Sequence, residues 1–185
     1  MDNNKKFIHK EEYQDGKYNI ISLSNGKKDL RRILCKSEDI CIIPFDTNES
    51  GKIRNIYLAK YLDYLNNEHG YTCMSTEYKG NKDSDFDEIS EYLNLELGIN
   101  PEVDNLYYLG SIKHQLPFSK SYKCYGLDLT GFSKDPNGFS IEISDSEKES
   151  KMYTLEKIKF NRVLKGDISD SICLSAAMLL ISYLN

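Results

Sequence analysis

The sequence predicts an α+β domain in which a mixed β-sheet lies between helices. Three observations support that fold class. Strand-like apolar runs occupy 39–45, 53–62 and 71–75. An amphipathic helix pattern spans 83–99, and further strand-like runs follow at 106–112 and 122–130. A second long helix pattern, 167–184, closes the chain. Strands on both sides of a helix, with another helix at the end, allow a sheet to bury both faces.

Residues 1–38 are polar and lysine-rich, and read as an N-terminal extension or interaction arm ahead of a domain spanning 39–185. In this arm YNIISL, Tyr18 to Leu23, reads as a strand, and Asn25-Gly26 as a turn. Residues 28–35 fit either a short helix or a continuing strand. The run DICIIPF is continuously apolar after Asp39 and is expected to be a buried strand ending at Pro44. A turn over 46–51 joins it as a hairpin to IRNIYLAKYL, where Asn55, Tyr57 and Ala59 alternate with Ile56, Leu58 and Lys60. A short third strand is expected at 71–75, and a loop at 77–82 leads into the first helix.

That helix has clear ends. Phe86, Ile89, Leu93 and Leu97 recur at spacings of three and four, which places them on one face, with Leu95 off the line. Ser84 or Asp85 can cap the N-terminus, and Asp87 and Glu88 then fall in the first turn, where the helix dipole favours negative charge. Gly98 stands where a C-terminal glycine belongs, and Pro101 prevents continuation.

Beyond it, LYYLGSI (106–112) and YKCYGLDLT (122–130) read as strands around a loop containing Pro117. The polar stretch 131–151 reads as a loop or hairpin, with a turn at Pro136-Asn137-Gly138 and a strand at FSIEI. Residues 152–158 join the polar stretch to the last helix, and resemble a segment that follows the sheet as a short acidic helix or a strand in the family named below. In the last helix Ile168, Ile172, Leu179, Leu180 and Tyr183 fall near one stripe, Ala176 and Ala177 permit close packing, and Asp167 or Ser169 can cap it.

The order of elements and the Leu-Gly-Ile ending of the first helix resemble the Nudix hydrolase superfamily, whose motif is G-x5-E-x7-R-E-U-x-E-E-x-G-U with U apolar. Gly98 and Ile99 match the last two positions, Glu96 the second glutamate of the E-E pair, and Leu93 the apolar position. Asp83 stands for the earlier glutamate and Glu77 for the opening glycine. Glu91 and Tyr92 replace the Arg-Glu pair, and Leu95 replaces the first glutamate of E-E. The resemblance implies a Nudix-like mixed β-sheet between helices over about 39–184. In that family the helix carboxylates hold Mg²⁺ or Mn²⁺ against a diphosphate. The residual motif positions here are Asp83, Glu91, Tyr92, Leu95, Glu96 and Gly98.

Those substitutions bear on chemistry. A hard divalent cation requires several oxygen ligands in near-octahedral geometry. Leucine cannot ligate, and a tyrosine phenol with pKa near ~10 is a poor magnesium ligand. Of three ligand positions only Glu96 keeps a carboxylate. The expectation is therefore a degenerate motif, a pseudoenzyme with no catalytic residues and no metal or other cofactor. A vacated metal position is readily filled by packing, so Leu95 is expected to make a buried apolar contact. A displaced metal set of Asp87, Glu88 and Glu91 has helical spacing, but acids are expected early in a helix anyway.

Composition bounds the rest. At 185 residues the chain suits one domain, and 39% hydrophobic with 29% charged residues is ordinary for a globular protein. The net charge of −5 gives no direct nucleic-acid signal. No apolar run is long enough to span a membrane, and MDNNKKFIHK lacks a signal-peptide core. The five cysteines form no C-x-x-C pair, and nothing ties His9, His69 or His114 to any of them; four sit in apolar strand or helix contexts and are expected to be reduced, buried core residues. There are no internal repeats, coiled-coil heptads or low-complexity linkers.

Four arginines and three alanines, with abundant Lys, Asn, Ile and Tyr, suggest an AT-rich coding genome such as that of a bacterium or its phage. Phe7, Ile8 and Tyr13 are the few apolar anchors of residues 1–16. At ~25 cal/mol per Å² they supply only a few kcal/mol, whereas ordering each backbone residue costs about 1–2 kcal/mol. Neighbouring chains are expected to hold this arm, in a large assembly such as a homo-oligomeric ring. The expected setting is a virion assembled in the host cytoplasm, resembling a neck or tail ring of a tailed, crAss-like phage. The alternative is a cytoplasmic, divergent Nudix hydrolase acting on a nucleoside-diphosphate-linked substrate, with Glu96 on Mg²⁺ or Mn²⁺. A weaker third reading is a pseudoenzyme that binds a nucleotide without cleaving it.

Overall fold

A computed structural model describes residues 8–14, 18–24, 29–63, 68–80, 82–114, 118–132, 153–166, 168 and 170–184. They build nine strands in one sheet, two long α-helices, one short α-helix and a single 3-10 turn at Val103–Asn105. The spine is β3 (Asp29–Thr47), far longer than the expected 39–45 and running through Pro44. Its first half pairs antiparallel with β2 (Tyr18–Ser24), which pairs with β1 (Ile8–Gln14). The 28–35 alternatives therefore resolve to strand. Residue 38 lies inside β3, so the sheet runs unbroken past it. The backbone of β1 is already paired with β2, so this part of the arm needs no neighbouring chain to place its strand.

The second half of β3 is a crossroads. It pairs in parallel with β8 (Phe118–Asp128), antiparallel with β6 (Met74–Glu77), and at its end with β4 (Ile53–Asp63). The β3–β4 hairpin is short, holding only at 45–47 against 53–56 before β4 turns to β9 (Tyr153–Lys159) and β5 (Glu68–Thr72). The third strand expected at 71–75 is two strands. The chain breaks at Cys73, because β5 follows β4 while β6 follows β3. The last partner of β8 is β7 (Leu106–His114), antiparallel. The 152–158 alternatives resolve to strand β9. The 134–151 stretch, with its turn and FSIEI strand, and the Pro117 loop at 115–117 lie outside the described residues.

Alternate side chains of one strand point to opposite faces, and here they feed two cores. From β3, Cys41, Ile43 and Phe45 enter one core, and Ile40 and Ile42 the other. The first is covered by α3 (Ser171–Leu184), through Cys173, Ala176, Ala177 and Leu180. The second is covered by α1 (Asp85–Leu97), through Ile89 and Leu93. Small residues let α3 approach closely: a Cβ added at Gly126 on β8 lies 3.1 Å from Leu180 and 3.2 Å from Phe45. This is the expected mixed sheet between helices. Residues Asp167 and Ser169 lie outside the described set. Among the described residues Asp170 caps α3, its Oδ1 accepting the Cys173 N–H at 2.6 Å. The short α2 (Phe160–Leu164) between β9 and α3 had no sequence signal. Four cysteines are buried as expected, Cys41, Cys73 and Cys124 in the core beneath α3 and Cys173 on α3 itself; all five are free, and neighbouring thiols and burial push the Cys73 and Cys124 thiols up. Among the described residues no helix is long and apolar enough to cross a membrane.

Candidate functional site on the α1 face

The helix α1 starts and stops as its sequence indicates. Ser84 Oγ accepts the Asp87 N–H at 3.2 Å, and Gly98 takes the left-handed conformation at φ 66°, returning its N–H to Asn94 at 2.9 Å. A residue with a side chain is strained there, which is why glycine stands at this position.

The residual motif positions are scattered. Asp83 is exposed ahead of the helix. Glu91 is exposed and pairs with Lys82 at 3.3 Å. Tyr92 is half-buried and donates its hydroxyl to the Ser75 carbonyl at 3.2 Å. Glu96 is half-buried. Leu95 is 73% exposed, which corrects the expectation of a buried contact. It lies off the buried stripe of Ile89 and Leu93, and at 100° per residue that offset turns it to solvent.

The displaced set is also divided. Asp87 accepts from Ser84 Oγ at 2.6 Å. Glu88 is 6% exposed, and its two oxygens take the backbone N–H groups of Lys79 (2.5 Å) and Gly80 (3.2 Å). This carboxylate braces the loop before the helix. Of the positions 92, 95 and 96 only Glu96 is a carboxylate, and Glu88, the buried acid on the same helix, is turned to this loop. These residues do not fit an octahedral oxygen site for Mg²⁺ or Mn²⁺.

A different cluster forms at the start of α1, which motif reasoning missed. Asp85 receives Lys123 Nζ at 3.0 and 3.2 Å and also the Tyr125 hydroxyl. Lys123 lies 4.0 Å from the Tyr78 ring centroid and 3.9 Å from Glu38. Burial opposes ionisation of Asp85, but hydrogen bonds from Tyr125, Lys123 and Tyr78 hold its carboxyl below the usual range. Burial and the adjacent carboxylate push the Tyr125 phenol up. The cluster ties α1 to β8 and leaves both charges satisfied. The available signal was the alternation of Lys123 and Tyr125 about Cys124, which puts both on one face of β8.

A second polar node sits at the β3–β4 turn. Asp46 is 4% exposed and accepts from Arg54 Nε (3.1 Å), Asn55 Nδ2 (2.9 and 3.0 Å) and the Tyr57 hydroxyl (2.9 Å). Burial opposes its charge, yet these donors, Arg54 first, keep its carboxyl below the ordinary range.

No family model and no curated protein matches the chain. Among solved structures, the crystal structure of an ADP compounds hydrolase superposes with a TM-score of 0.62 at 12% identity, covering 100% of this chain and 97% of that one. The NUDIX domain of Shewanella oneidensis NrtR, solved with ADP ribose, gives 0.52 at 8% identity, covering 80% of this chain and 88% of that one. These likenesses show the fold: it is Nudix-like.

Proposed function

We propose that this Nudix-fold chain is non-catalytic and serves as a structural subunit of a protein assembly, with a ring at the neck or tail of a phage particle as its setting. One observation supports the reading above others. The acids of α1 are engaged within the chain: Asp85 with Lys123, Glu88 on the loop backbone, and Glu91 with Lys82, while Tyr92 and Leu95 stand at ligand positions. The exposed Leu95 also gives α1 an apolar point that suits a protein contact. The AT-rich residue usage supports the phage setting. A second reading, a divergent hydrolase using Glu96 with Mg²⁺ or Mn²⁺ on a nucleoside-diphosphate-linked substrate, is supported by the full-length likeness to an ADP compounds hydrolase.

Light scattering on the purified chain tests the assembly role. The full-length protein is expected to form a closed oligomer, since rings repeat one heterologous contact. Removal of residues 1–16, which takes the end strand β1 from the sheet and leaves β2 paired with β3, is expected to leave a folded monomer. A full-length protein that stays monomeric, both alone and with its particle, overturns the reading.

A further inference from the structure

The sheet surface beyond α1 is not fully covered. Lys157 and Lys159 are two residues apart on β9, so they share a face with Leu155, which packs under α1. An open groove of about 460 Å³ remains there, lined by Arg54, Lys157, Lys159, Phe160, Asn161 and Ile53 among others.

The lining is unusual for this chain. The protein carries a net charge of −5, yet the groove holds three cations and no carboxylate. Both lysines are exposed, and neither makes a salt bridge with a described residue. Arg54 is held in place by its Nε contact with Asp46 at 3.1 Å, and its side chain remains 59% exposed. A guanidinium fixed at one nitrogen keeps its terminal amines for a second partner, at little further cost in side-chain entropy. Asn161 adds a neutral polar group. Phe160, half-buried against the α3 core, and Ile53 give the wall an apolar side.

Cations on one side and an aromatic ring on the other select a ligand with both characters. The volume lies in the ~300–1,000 Å³ range of small-molecule sites. We propose that this groove binds a small phosphate-bearing molecule with a flat apolar moiety. Lys157, Lys159 and Arg54 hold the phosphate, and Phe160 packs against the apolar part. The site uses no residue of α1, so it stands whether or not the assembly reading does.

Titration calorimetry on the full-length protein tests it, with inorganic phosphate and phenyl phosphate as probes. Both are expected to bind, phenyl phosphate more tightly. The Lys157→Gln/Lys159→Gln variant, altered only at exposed positions, is expected to weaken both by at least ~10-fold, the change that ~1.4 kcal/mol produces. Phe160→Leu, which keeps most of the packing volume, is expected to remove the preference for phenyl phosphate and leave phosphate binding in place. Absence of binding at millimolar probe, or binding that the double variant does not weaken, overturns the proposal. So does a single-stranded oligonucleotide that binds more tightly than either probe through the same lysines, since the site is then a polymer contact.

Discussion

Replacing Leu95 with glutamate separates an open helix face from a packed one. Leu95 is 73% exposed, so about a quarter of its ~1.5–3 kcal/mol burial energy is at stake, roughly 0.5 kcal/mol. The new carboxylate falls four residues after Glu91, and like charges at that spacing cost about 0.2–0.5 kcal/mol. The sum is about 1 kcal/mol. For a chain of 185 residues this lowers Tm by about 2–4 °C. Thermal unfolding of wild type, Leu95→Glu and Leu95→Ala by circular dichroism measures it, and the alanine variant removes the repulsion. A fall above about 8 °C in the isolated monomer means that Leu95 is packed, and refutes the placement of this residue. Under the assembly reading the same substitution weakens association far more than folding.

Two further substitutions probe the buried acids. Asp46→Asn keeps the shape but loses the charge and one acceptor, and at about 1.5–3 kcal/mol per charged hydrogen bond it is expected to cost roughly 3 kcal/mol, or about 6–12 °C. The carboxyl of Asp46 is depressed in the folded state, so its stabilisation is present above the unfolded value near ~4 and is lost as pH falls through the folded value. The stability–pH curve of Asp46→Asn is therefore expected to be flatter on the acid side, and an identical acid limb contradicts the node. Glu88→Gln retains one good acceptor for two donors and is expected to cost about 1–2 kcal/mol, with faster amide exchange at Lys79 and Gly80. Unchanged exchange there shows that Glu88 does not brace the loop.

The two long helices were legible because their signals are local. Ser84, Gly98 and the Ile89–Leu93 spacing lie within one helix, and the structure uses each of them. The strands were legible as apolar runs, but their partners were not. Nothing near Cys73 announces that β5 and β6 follow different neighbours, because that choice is made by β4 and β3. The strand β1 is IHKEEYQ, polar enough to look like a solvated arm, and it becomes visible only beside β2. Leu95 faces solvent because the helical angle, which sets it off the Ile89–Leu93 stripe, decides its side and the motif position does not. The Asp85–Lys123 pair spans 38 positions of sequence, beyond the reach of any local pattern. The groove at Lys157 and Lys159 was missed for a related reason: its cations come from β4 and β9, which meet only in the sheet.

The proposed reading predicts no metal-dependent hydrolysis by this chain, and turnover measures that most directly. Purified full-length protein with Mg²⁺ or Mn²⁺ is assayed against ADP-ribose, dinucleoside polyphosphates, sugar nucleotides and nucleoside triphosphates. The expected rate equals that of Glu96→Gln with every substrate. Turnover by the wild-type chain that disappears in Glu96→Gln contradicts the account, and makes the helix a working metal site.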